Sequence, residues 1–247
     1  MDLGIAGRTA AVAGASSGLG FASAQALAAE GVRVAICGRD RERVEAAAAR
    51  IDRAVPLVAD MSTVEGATGF VEAAVDALGH VDILVPNAGG PPPGTFASTP
   101  LDAYAPALEL NLLSTVAMCT AAVPAMCERG WGRVVAITSV SVRQPIPSLI
   151  LSNTARSGAT AFLKTLALEV ADRGVTVNSV QPGLHLTERA RNLYGGDTSG
   201  AAADVPAGVL GDPADFGAVV AFLCSEHARF VVGAALPVDG GAYRGLQ

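Results

Sequence analysis

The sequence lacks a basic surface, aromatic clusters and paired cysteines. Of its 247 residues, 16% are charged, with 23 acidic against 17 basic side chains, and 4% are aromatic. Nucleic-acid binding requires a face rich in Lys and Arg, and single strands also require aromatic stacking platforms. The composition therefore argues against a nucleic-acid binder. The cysteines, at 37, 119, 127 and 224, form no C-x-x-C pair, and no spacing predicts a metal site. We expect reduced thiols in a cytoplasmic protein.

No membrane span or secretory signal is evident either. Residues 9–29 are uncharged, but glycines and serines at 14–20 interrupt them where a span requires continuous apolar side chains. Residues 110–127 contain Asn111 and Pro124, which favours a buried helix over a span. Because Asp2 precedes the first apolar run and no basic region does, we expect no signal peptide and no membrane partner.

Short apolar runs alternate with helical patterns along the chain. Strands are predicted at 8–13, 32–37, 54–59, 81–85, 133–139, 175–180 and 234–238. Helices are predicted near 18–30, 41–51, 101–128, 152–173 and 213–225, with a further one opened by a capping box of Ser62 and Glu65. Strands joined by helices predict an α/β fold, namely one domain (1–247) built on a doubly wound, Rossmann-type parallel sheet of seven strands with helices on both faces. A substrate loop is expected around 184–211.

A glycine-rich turn separates the first strand from the first helix. It comprises Gly14, Ser16, Ser17, Gly18, Leu19 and Gly20. Glycines let a backbone approach a pyrophosphate closely, and the helix N-terminus directs N–H groups and a positive dipole end at it. A lone Gly-x-x-x-Gly-x-Gly is a weak signal, since a purely structural turn has the same pattern. Its position at the first strand–helix junction favours dinucleotide binding.

The end of the second strand bears on which dinucleotide is bound. NAD-binding folds usually place an acidic residue there to accept from the ribose 2′-hydroxyl. Here the sequence is Gly38-Arg39-Asp40, and an arginine fork suits a 2′-phosphate. We therefore predict NADP, with NAD less favoured. The alternative is that Arg39 is a solvated charge and that Asp40 caps the next helix.

Together these features resemble the short-chain dehydrogenase/reductase family over essentially the whole chain. Beyond the glycine turn, the resemblance rests on Asp60, Asn87-Ala88-Gly89, Asn111, Ser139, Pro182-Gly183, Thr187 and the closing Pro237-Val238-Asp239-Gly240-Gly241. The resemblance implies an oxidoreductase whose cofactor site includes Asp60 and Met61, with Asp60 at the adenine. It also implies that Asn87, Ala88 and Gly89 line the cofactor channel and that Pro182-Gly183 passes the nicotinamide. A homo-oligomer, dimer or tetramer, supported by the final strand, is a further implication.

The expected catalytic positions depart from the family pattern. In the family a serine is usually followed thirteen residues later by a tyrosine, and a lysine lies four residues beyond that tyrosine. Counted from Ser139, these positions fall on Ser152 and Arg156, which share one helical face. A serine hydroxyl is a far weaker acid than tyrosine, and arginine stays protonated. We predict a variant centre in which Ser139 orients a carbonyl, Ser152 assists it, Arg156 holds the nicotinamide ribose and Asn111 orders water.

Ser152 has a structural alternative, and so does His185, which is a further candidate for the site. Ser152 is also a preferred N-cap residue, downstream of Pro145 and Pro147, and would then only begin the helix. His185 follows Pro182-Gly183, where a proton donor would reach substrate, although a lone loop histidine is more often structural.

The sequence thus favours an NADP-dependent oxidoreductase that reduces a carbonyl or oxidises an alcohol on a small to medium organic molecule, with ketones and 3-oxoacyl compounds as candidate substrates. The alternatives are a non-redox isomerase, dehydratase or cyclase on the same fold, and a catalytically silent nucleotide-binding protein. Residues 90–96, 140–151 and 184–205 are expected to line the substrate pocket. Candidates for a basic entrance that would admit a carrier-protein thioester are Arg143, Arg189 and Arg191, which alternatively are ordinary surface charges.

Overall fold

The computed structural model describes residues 1–193 and 199–246. The expected substrate loop around 184–211 therefore lies partly outside the described residues. Within that loop the chain forms two short helices, α7 (Glu188–Leu193) and α8 (Ser199–Ala202).

Strands and helices alternate as the sequence predicts. The strands are β1 (Thr9–Val12), β2 (Arg33–Gly38), β3 (Val55–Val58), β4 (Ile83–Val85), β5 (Gly132–Ile137), β6 (Val175–Pro182) and β7 (Ala235–Val238). The other helices are α1 (Gly18–Ala29), α2 (Arg41–Ala48), α3 (Val64–Leu78), α4 (Tyr104–Leu108), α5 (Ser114–Arg129), α6 (Ile150–Val170) and α9 (Pro213–Leu223). Single 3₁₀ turns lie at Leu101–Ala103, Val140–Val142, Ala171–Arg173 and Glu226–Ala228, and a π-helical turn at Glu109–Leu113.

The seven strands form one parallel sheet in the order β3-β2-β1-β4-β5-β6-β7. All pairings are parallel, with Ala11 of β1, for example, lying between Ala35 of β2 and Leu84 of β4. This arrangement confirms the predicted doubly wound α/β fold. The strand order reverses between β1 and β4, and ligands bind at the carboxyl edge beside such a reversal.

Alternate side chains of each strand pack against helices on opposite faces of the sheet. Successive strand residues point to opposite faces, so a strand buried on both sides must be apolar throughout. Val34 and Ile36 of β2 belong to the core cluster with α1 and α9, whereas Ala35 and Cys37 belong to the cluster with α3, α5 and α6. The predicted helices on both faces are confirmed.

Two predicted helix starts are wrong by one or two residues. α3 is capped by Thr63, whose hydroxyl accepts from the Gly66 N–H at 3.0 Å, and not by Ser62. The Ser62 N–H instead donates to the Asp60 carboxylate, so that residue belongs to the preceding turn. α6 begins at Ile150 with Leu149 at the N-cap position, which places Ser152 inside the first turn. The alternative of Ser152 as a helix cap is therefore incorrect.

The stretch 101–129, which includes α4, the π-helical turn and α5, is long and apolar enough to cross a membrane. Half of its apolar window is buried inside the protein, where Met118 and Met126 pack in the core beside the sheet. This burial fits the predicted role of a core helix.

We predict that Gly217 in α9 tolerates no side chain, because a Cβ there would overlap the Ala22 carbonyl group of α1. Because the contact is between backbone atoms, a Cβ at this position would push α1 and α9 apart. Overpacking of this kind typically lowers the free energy of unfolding by about 1–3 kcal/mol. Gly217→Ala should lower the free energy of unfolding by that amount in urea titrations. Gly69→Ala is the matched control, because a Cβ on this α3 residue meets nothing within 4 Å and should stabilise by about 0.5–1 kcal/mol. Equal midpoints for the two variants would contradict the proposed α1–α9 contact.

Candidate active site

The glycine turn lies at the carboxyl end of β1 and is closed by Asn87, which follows β4. The Asn87 amide donates to the carbonyl oxygens of Ala13 and Gly14 at 3.2 and 3.1 Å. Gly14 has a φ of +56°, and a Cβ on Gly20 would lie 2.6 Å from the Gly14 oxygen. Larger residues at these two positions would force the turn open. Asn87 therefore holds the turn in place from the neighbouring strand.

The first turn of α1 has the features of an anion site. Its N-cap residue, Ser17, is extended and makes no side-chain cap, and the first turn carries no acidic residue. The N–H groups there are thus left to a ligand, and the helix dipole favours a negative charge. Thr187 comes close to Gly18, with its methyl carbon 3.8 Å from an ideal Cβ on that glycine. The residues fit a diphosphate held by Ser16, Ser17, Gly18 and Leu19.

The ends of β2 and β3 carry the groups predicted to contact the adenosine half of a dinucleotide. Arg39 is exposed, and no ion pair or hydrogen bond of its guanidinium is found among the described residues. Asp40 caps α2 by accepting from the Arg43 N–H at 3.0 Å, as predicted for it. Asp60 uses one carboxylate oxygen for the Ser62 N–H, and Met61 is buried beneath it. A free guanidinium at this edge fits a phosphate better than a ribose hydroxyl.

Arg156 connects the ends of β4 and β5. One terminal nitrogen of its guanidinium donates to the carbonyl oxygens of Ile137 and Thr138 at 3.1 and 3.2 Å. The other donates to those of Ala88 and Gly89 at 3.3 and 3.5 Å. A rigid guanidinium fork suits several acceptors at once. Arg156 therefore lies at the sheet edge between the two strand ends, on the α6 face that also carries Ser152.

Asn111 reaches the same place from the π-helical turn. Its amide donates to the Gly89 carbonyl oxygen at 2.8 Å, so this oxygen accepts from both Asn111 and Arg156. The Asn111 side-chain oxygen is buried and has no partner within the described residues. π-helical turns are uncommon and occur frequently at functional sites because they redirect a side chain. Here the turn directs Asn111 towards the end of β4.

Ser139 and Ser152 complete the cluster but differ in their hydrogen bonding. The Ser139 hydroxyl accepts from the Ser141 N–H at 3.1 Å and so begins the 3₁₀ turn after β5. Ser152 is 8% exposed, and no hydrogen bond of its hydroxyl is found in the described part of the chain. A nearly buried hydroxyl without a partner costs free energy. Ser152 is consequently available for a ligand, and its position one turn before Arg156 points it to the same edge.

His185 is built into the loop that follows β6. The ring is 5% exposed, its Nδ1 lies 3.2 Å from the Gly183 oxygen, and its edge packs on Phe216 at a centroid distance of 5.1 Å. Burial is the main cause that lowers the pKa of His185 below its usual value. The geometry supports the structural alternative for this residue over the proton donor.

Three buried thiols and the metal-ligating residue types were the remaining candidates for chemistry among the described residues. Burial raises the pKa of Cys37, Cys119 and Cys224 to about 12, which keeps these thiols protonated at neutral pH. No group of three or more His, Cys, Asp or Glu within residues 1–193 and 199–246 is arranged to hold a metal ion.

The structure adds contacts that the sequence does not predict. The C-terminal turn reaches the loop after β5, where the Arg244 N–H donates to Gln144 and the Arg143 guanidinium lies over the Tyr243 ring. Arg143 also donates to Gln181 at 2.8 Å and to the Ala235 oxygen at 2.7 Å. It therefore joins β6 to β7 and does not form a basic entrance. Arg191 is exposed, and the Arg189 side chain lies outside the described residues.

Comparison with known proteins gives a consistent result. A family model described as Enoyl-(Acyl carrier protein) reductase matches residues 14–243. The 3-oxoacyl-(acyl-carrier-protein) reductase of Vibrio cholerae is 32% identical over 98% of this chain and 99% of its own length. The L-sorbose reductase of Gluconobacter frateurii, solved with NADPH and L-sorbose, is 32% identical with a TM-score of 0.93 over 100% of both chains.

A third similar protein is the NADPH-bound short-chain oxidoreductase of Pseudomonas aeruginosa PAO1, described as containing an atypical catalytic centre. It is 31% identical, with a TM-score of 0.89 over 97% of this chain and 98% of its own. The family match, the identities over nearly full length and the matching fold agree with the resemblance in the sequence. The chain belongs to the short-chain dehydrogenase/reductase family of oxidoreductases.

Proposed function

We propose that the protein is an NADP-dependent reductase or dehydrogenase that interconverts a ketone or 3-oxoacyl group and the alcohol through a variant Ser139/Ser152/Arg156 centre. One observation carries this proposal: hydrogen bonds from Arg156 and Asn111 converge on the strand ends of β4 and β5, beside the glycine turn closed by Asn87. The proposed cofactor and substrate sites thus lie at one edge of the sheet.

When bound, NADPH would donate a hydride to the carbonyl carbon, and NADP⁺ would accept a hydride from the alcohol carbon in the reverse direction. The chain contributes the binding surface. Main-chain N–H groups at the start of α1 would hold the diphosphate, Arg39 would hold the 2′-phosphate, and Asp60 would contact the adenine. Asn87, Ala88 and Gly89 would line the cofactor channel on one side, and Pro182 and Gly183 would line it on the other.

Ser139 and Ser152 act on the carbonyl oxygen. The Ser139 hydroxyl accepts from the Ser141 N–H, which leaves its own proton to donate to a ligand. Ser152 has no competing partner within the described residues and donates a second hydrogen bond. Two fixed donors stabilise the negative charge that develops on the oxygen as hydride arrives, and removing one such donor typically costs 10²–10³ in rate.

Arg156 supplies fixed positive charge and positions the channel wall. It does not act as a base, because arginine stays protonated in proteins. Its hydrogen bonds to Ala88 and Gly89 hold the β4 loop, while those to Ile137 and Thr138 hold the residues immediately before Ser139. In this proposal the positive charge of Arg156 would hold the nicotinamide ribose. Asn111 would order a water molecule behind Gly89.

The similar proteins support this assignment. Two of the neighbours named above were solved with NADPH, and the one from Pseudomonas aeruginosa has an atypical catalytic centre. A variant centre on this fold is therefore compatible with an oxidoreductase. We further propose a cytoplasmic homo-oligomer, dimer or tetramer, acting on a small molecule, with neither a nucleic-acid nor a membrane partner.

Ser152→Ala tests the centre directly. The purified protein is assayed by NADPH absorbance and product analysis against a panel of ketones and 3-oxoacyl thioesters. Because Ser152 makes no internal hydrogen bond among the described residues, we expect unchanged thermal stability and a kcat/KM reduced about 10²–10³-fold. Ser157→Ala, at an exposed position on the same helix, is the matched control and should leave both values unchanged.

Three results would count against this mechanism. Full activity of Ser152→Ala would show that Ser152 has no part in catalysis. Product formed without NADPH loss would indicate a non-redox isomerase, dehydratase or cyclase. Tight NADPH binding without turnover of any substrate would indicate a silent nucleotide-binding protein. In that case, restored reductase activity in a Ser152→Tyr/Arg156→Lys double variant would show that the native centre has lost this chemistry.

Arg39→Ala tests the cofactor assignment. A charge-assisted hydrogen bond contributes about 1.5–3 kcal/mol, so the Kd for NADPH should rise about 10–100-fold, while the Kd for NADH stays nearly constant. Both constants are measured by fluorescence titration. Arg229→Ala removes the same charge from an exposed position just after the 3₁₀ turn Glu226–Ala228 and should change neither constant. Equal losses for NADPH and NADH in Arg39→Ala would overturn the 2′-phosphate contact.

A further inference from the structure

The loop after β5 begins with a compact turn, residues 139–143, which we call the serine turn. The Ser139 hydroxyl accepts from the Ser141 N–H at 3.1 Å. At the end of the turn, the Arg143 N–H donates to the Val140 oxygen at 3.0 Å. The position of the Ser139 hydroxyl therefore depends on where the serine turn is held.

The side chain of Arg143 ties the serine turn to the sheet. Its Nε donates to the Gln181 side-chain oxygen on β6 at 2.8 Å, and one terminal nitrogen donates to the Ala235 oxygen on β7 at 2.7 Å. The guanidinium carbon also lies 5.6 Å from the centroid of the Tyr243 ring, within the range of a cation–π contact. Two strands and the C-terminal turn thus fix the end of the serine turn.

The rest of the loop is held elsewhere or more weakly. The Gln144 side chain accepts from the Arg244 N–H at 3.3 Å in an exposed contact. Further along, Gly94 and Leu149 form a β-bridge, which attaches the end of the loop to the segment after β4. Among the described residues, Arg143 is therefore the side chain that joins the serine turn to β6 and β7.

Gln181 costs free energy at its position on β6. The residue is fully buried, and because the Arg143 Nε can only donate, the amide oxygen faces the guanidinium and the amide nitrogen faces away. That nitrogen has no partner within the described residues. A buried unpaired donor typically costs about 1–3 kcal/mol, which an apolar side chain would avoid. An amide here therefore fits a role other than packing, namely to present one acceptor to Arg143.

The contact with Gln181 lies next to the proposed cofactor channel. Gln181 immediately precedes Pro182-Gly183. On its other side, Val180 accepts from the Thr138 N–H at 2.9 Å, so β5 and β6 are joined up to the residue before Ser139. The hydrogen bond from the serine turn extends this connection beyond the strand. It keeps the serine hydroxyl and the channel wall in one geometry, and hydride transfer depends on such positioning.

We propose that Arg143 and Gln181 are positioning residues that fix the Ser139 hydroxyl for the substrate carbonyl. Neither contacts substrate or cofactor in this proposal. Both act through Ser139, whose turn they hold against β6 and β7. The inference rests on the proposed function and deepens it, because it names the contacts that set the geometry of one of the two carbonyl donors.

Gln181→Leu separates positioning from stability. It removes the acceptor of Arg143 together with the unpaired amide nitrogen, so the midpoint of thermal unfolding should equal or exceed that of the unchanged protein. With the best ketone of the panel described above, kcat should nonetheless fall about 10–100-fold at constant KM, because the loss is in the transition state. A residue with a purely structural role would change stability and kcat together.

Gln181→Glu is the conservative variant for this position. A carboxylate oxygen keeps an acceptor for the Arg143 guanidinium and makes the hydrogen bond charge-assisted. We expect kcat of this variant to lie within about threefold of that of the unchanged protein, measured by NADPH absorbance with the same ketone.

A double-mutant cycle tests whether Arg143 acts through Ser139. Arg143→Ala should lower kcat about 10–100-fold and Ser139→Ala about 10²–10³-fold. Once the Ser139 hydroxyl is absent its position no longer matters, so adding Arg143→Ala to Ser139→Ala should cause no further loss. Added to Ser152→Ala, the same change should again lower kcat about 10–100-fold.

Arg129→Ala is the matched control for Arg143→Ala. The Arg129 guanidinium donates to the Val81 oxygen at 2.7 Å, which is the same kind of hydrogen bond at the amino edge of the sheet. Its loss should lower the midpoint of thermal unfolding and leave kcat and KM unchanged.

The outcomes separate the two proposals. Unchanged kcat in Gln181→Leu and Arg143→Ala would overturn the positioning role while the oxidoreductase function stands. So would a full further loss when Arg143→Ala is added to Ser139→Ala. Absence of any turnover in the unchanged protein, or full activity of Ser139→Ala, would overturn the proposed centre and with it the role given to Arg143 and Gln181.

Discussion

The carbonyl groups at the ends of β4 and β5 are the constraint on which the site depends. Strands in a parallel sheet end with carbonyl groups that the ladder no longer pairs, and buried carbonyls need donors. In this protein one guanidinium supplies them, since Arg156 donates to Ile137, Thr138, Ala88 and Gly89. A lysine ammonium at the same position has three donors on a flexible stem and does not span four acceptors in the same way. Arginine at this position thus couples the channel wall to the strand that leads into Ser139.

A second coupling joins this edge to the glycine turn. Asn87 lies one residue before Ala88, and its amide holds the Ala13 and Gly14 carbonyl groups. The segment 87–89 is therefore fixed on one side by the glycine turn and on the other by Arg156 and Asn111. On the proposed function, a displacement of either partner would move the wall between cofactor and substrate. The proposed cofactor half and carbonyl half of the site would then lie in one rigid unit, which is what hydride transfer by positioning requires.

Local pattern predicted the sheet and the glycine turn, because both depend on residues close together in the chain. The apolar runs, the turn at residues 14–20 and the cap at Asp40 are of this kind. The predicted starts at Ser62 and Ser152 failed because neighbouring residues compete for one helix end, and the choice of Thr63 or Leu149 depends on how the preceding loop packs. The partners of Arg156 and the meeting of Gly94 with Leu149 join residues far apart in sequence, so no spacing indicates them.

The proposed centre also constrains how a proton reaches the substrate. The four side chains of the centre keep one protonation state across the neutral range; these are Ser139, Ser152, Asn111 and Arg156. None of them therefore has a pKa near neutral pH, which a general acid needs in order to give up a proton and take it back. His185 is enclosed between Gly183 and Phe216, and burial favours its neutral form. On the proposed function, the proton on the alcohol product therefore comes through a hydroxyl from water. The buried Asn111 oxygen, which lacks a partner within the described residues, is an acceptor for such a water beside Gly89. The side chains of this centre then fix the geometry, while the solvent supplies the acid.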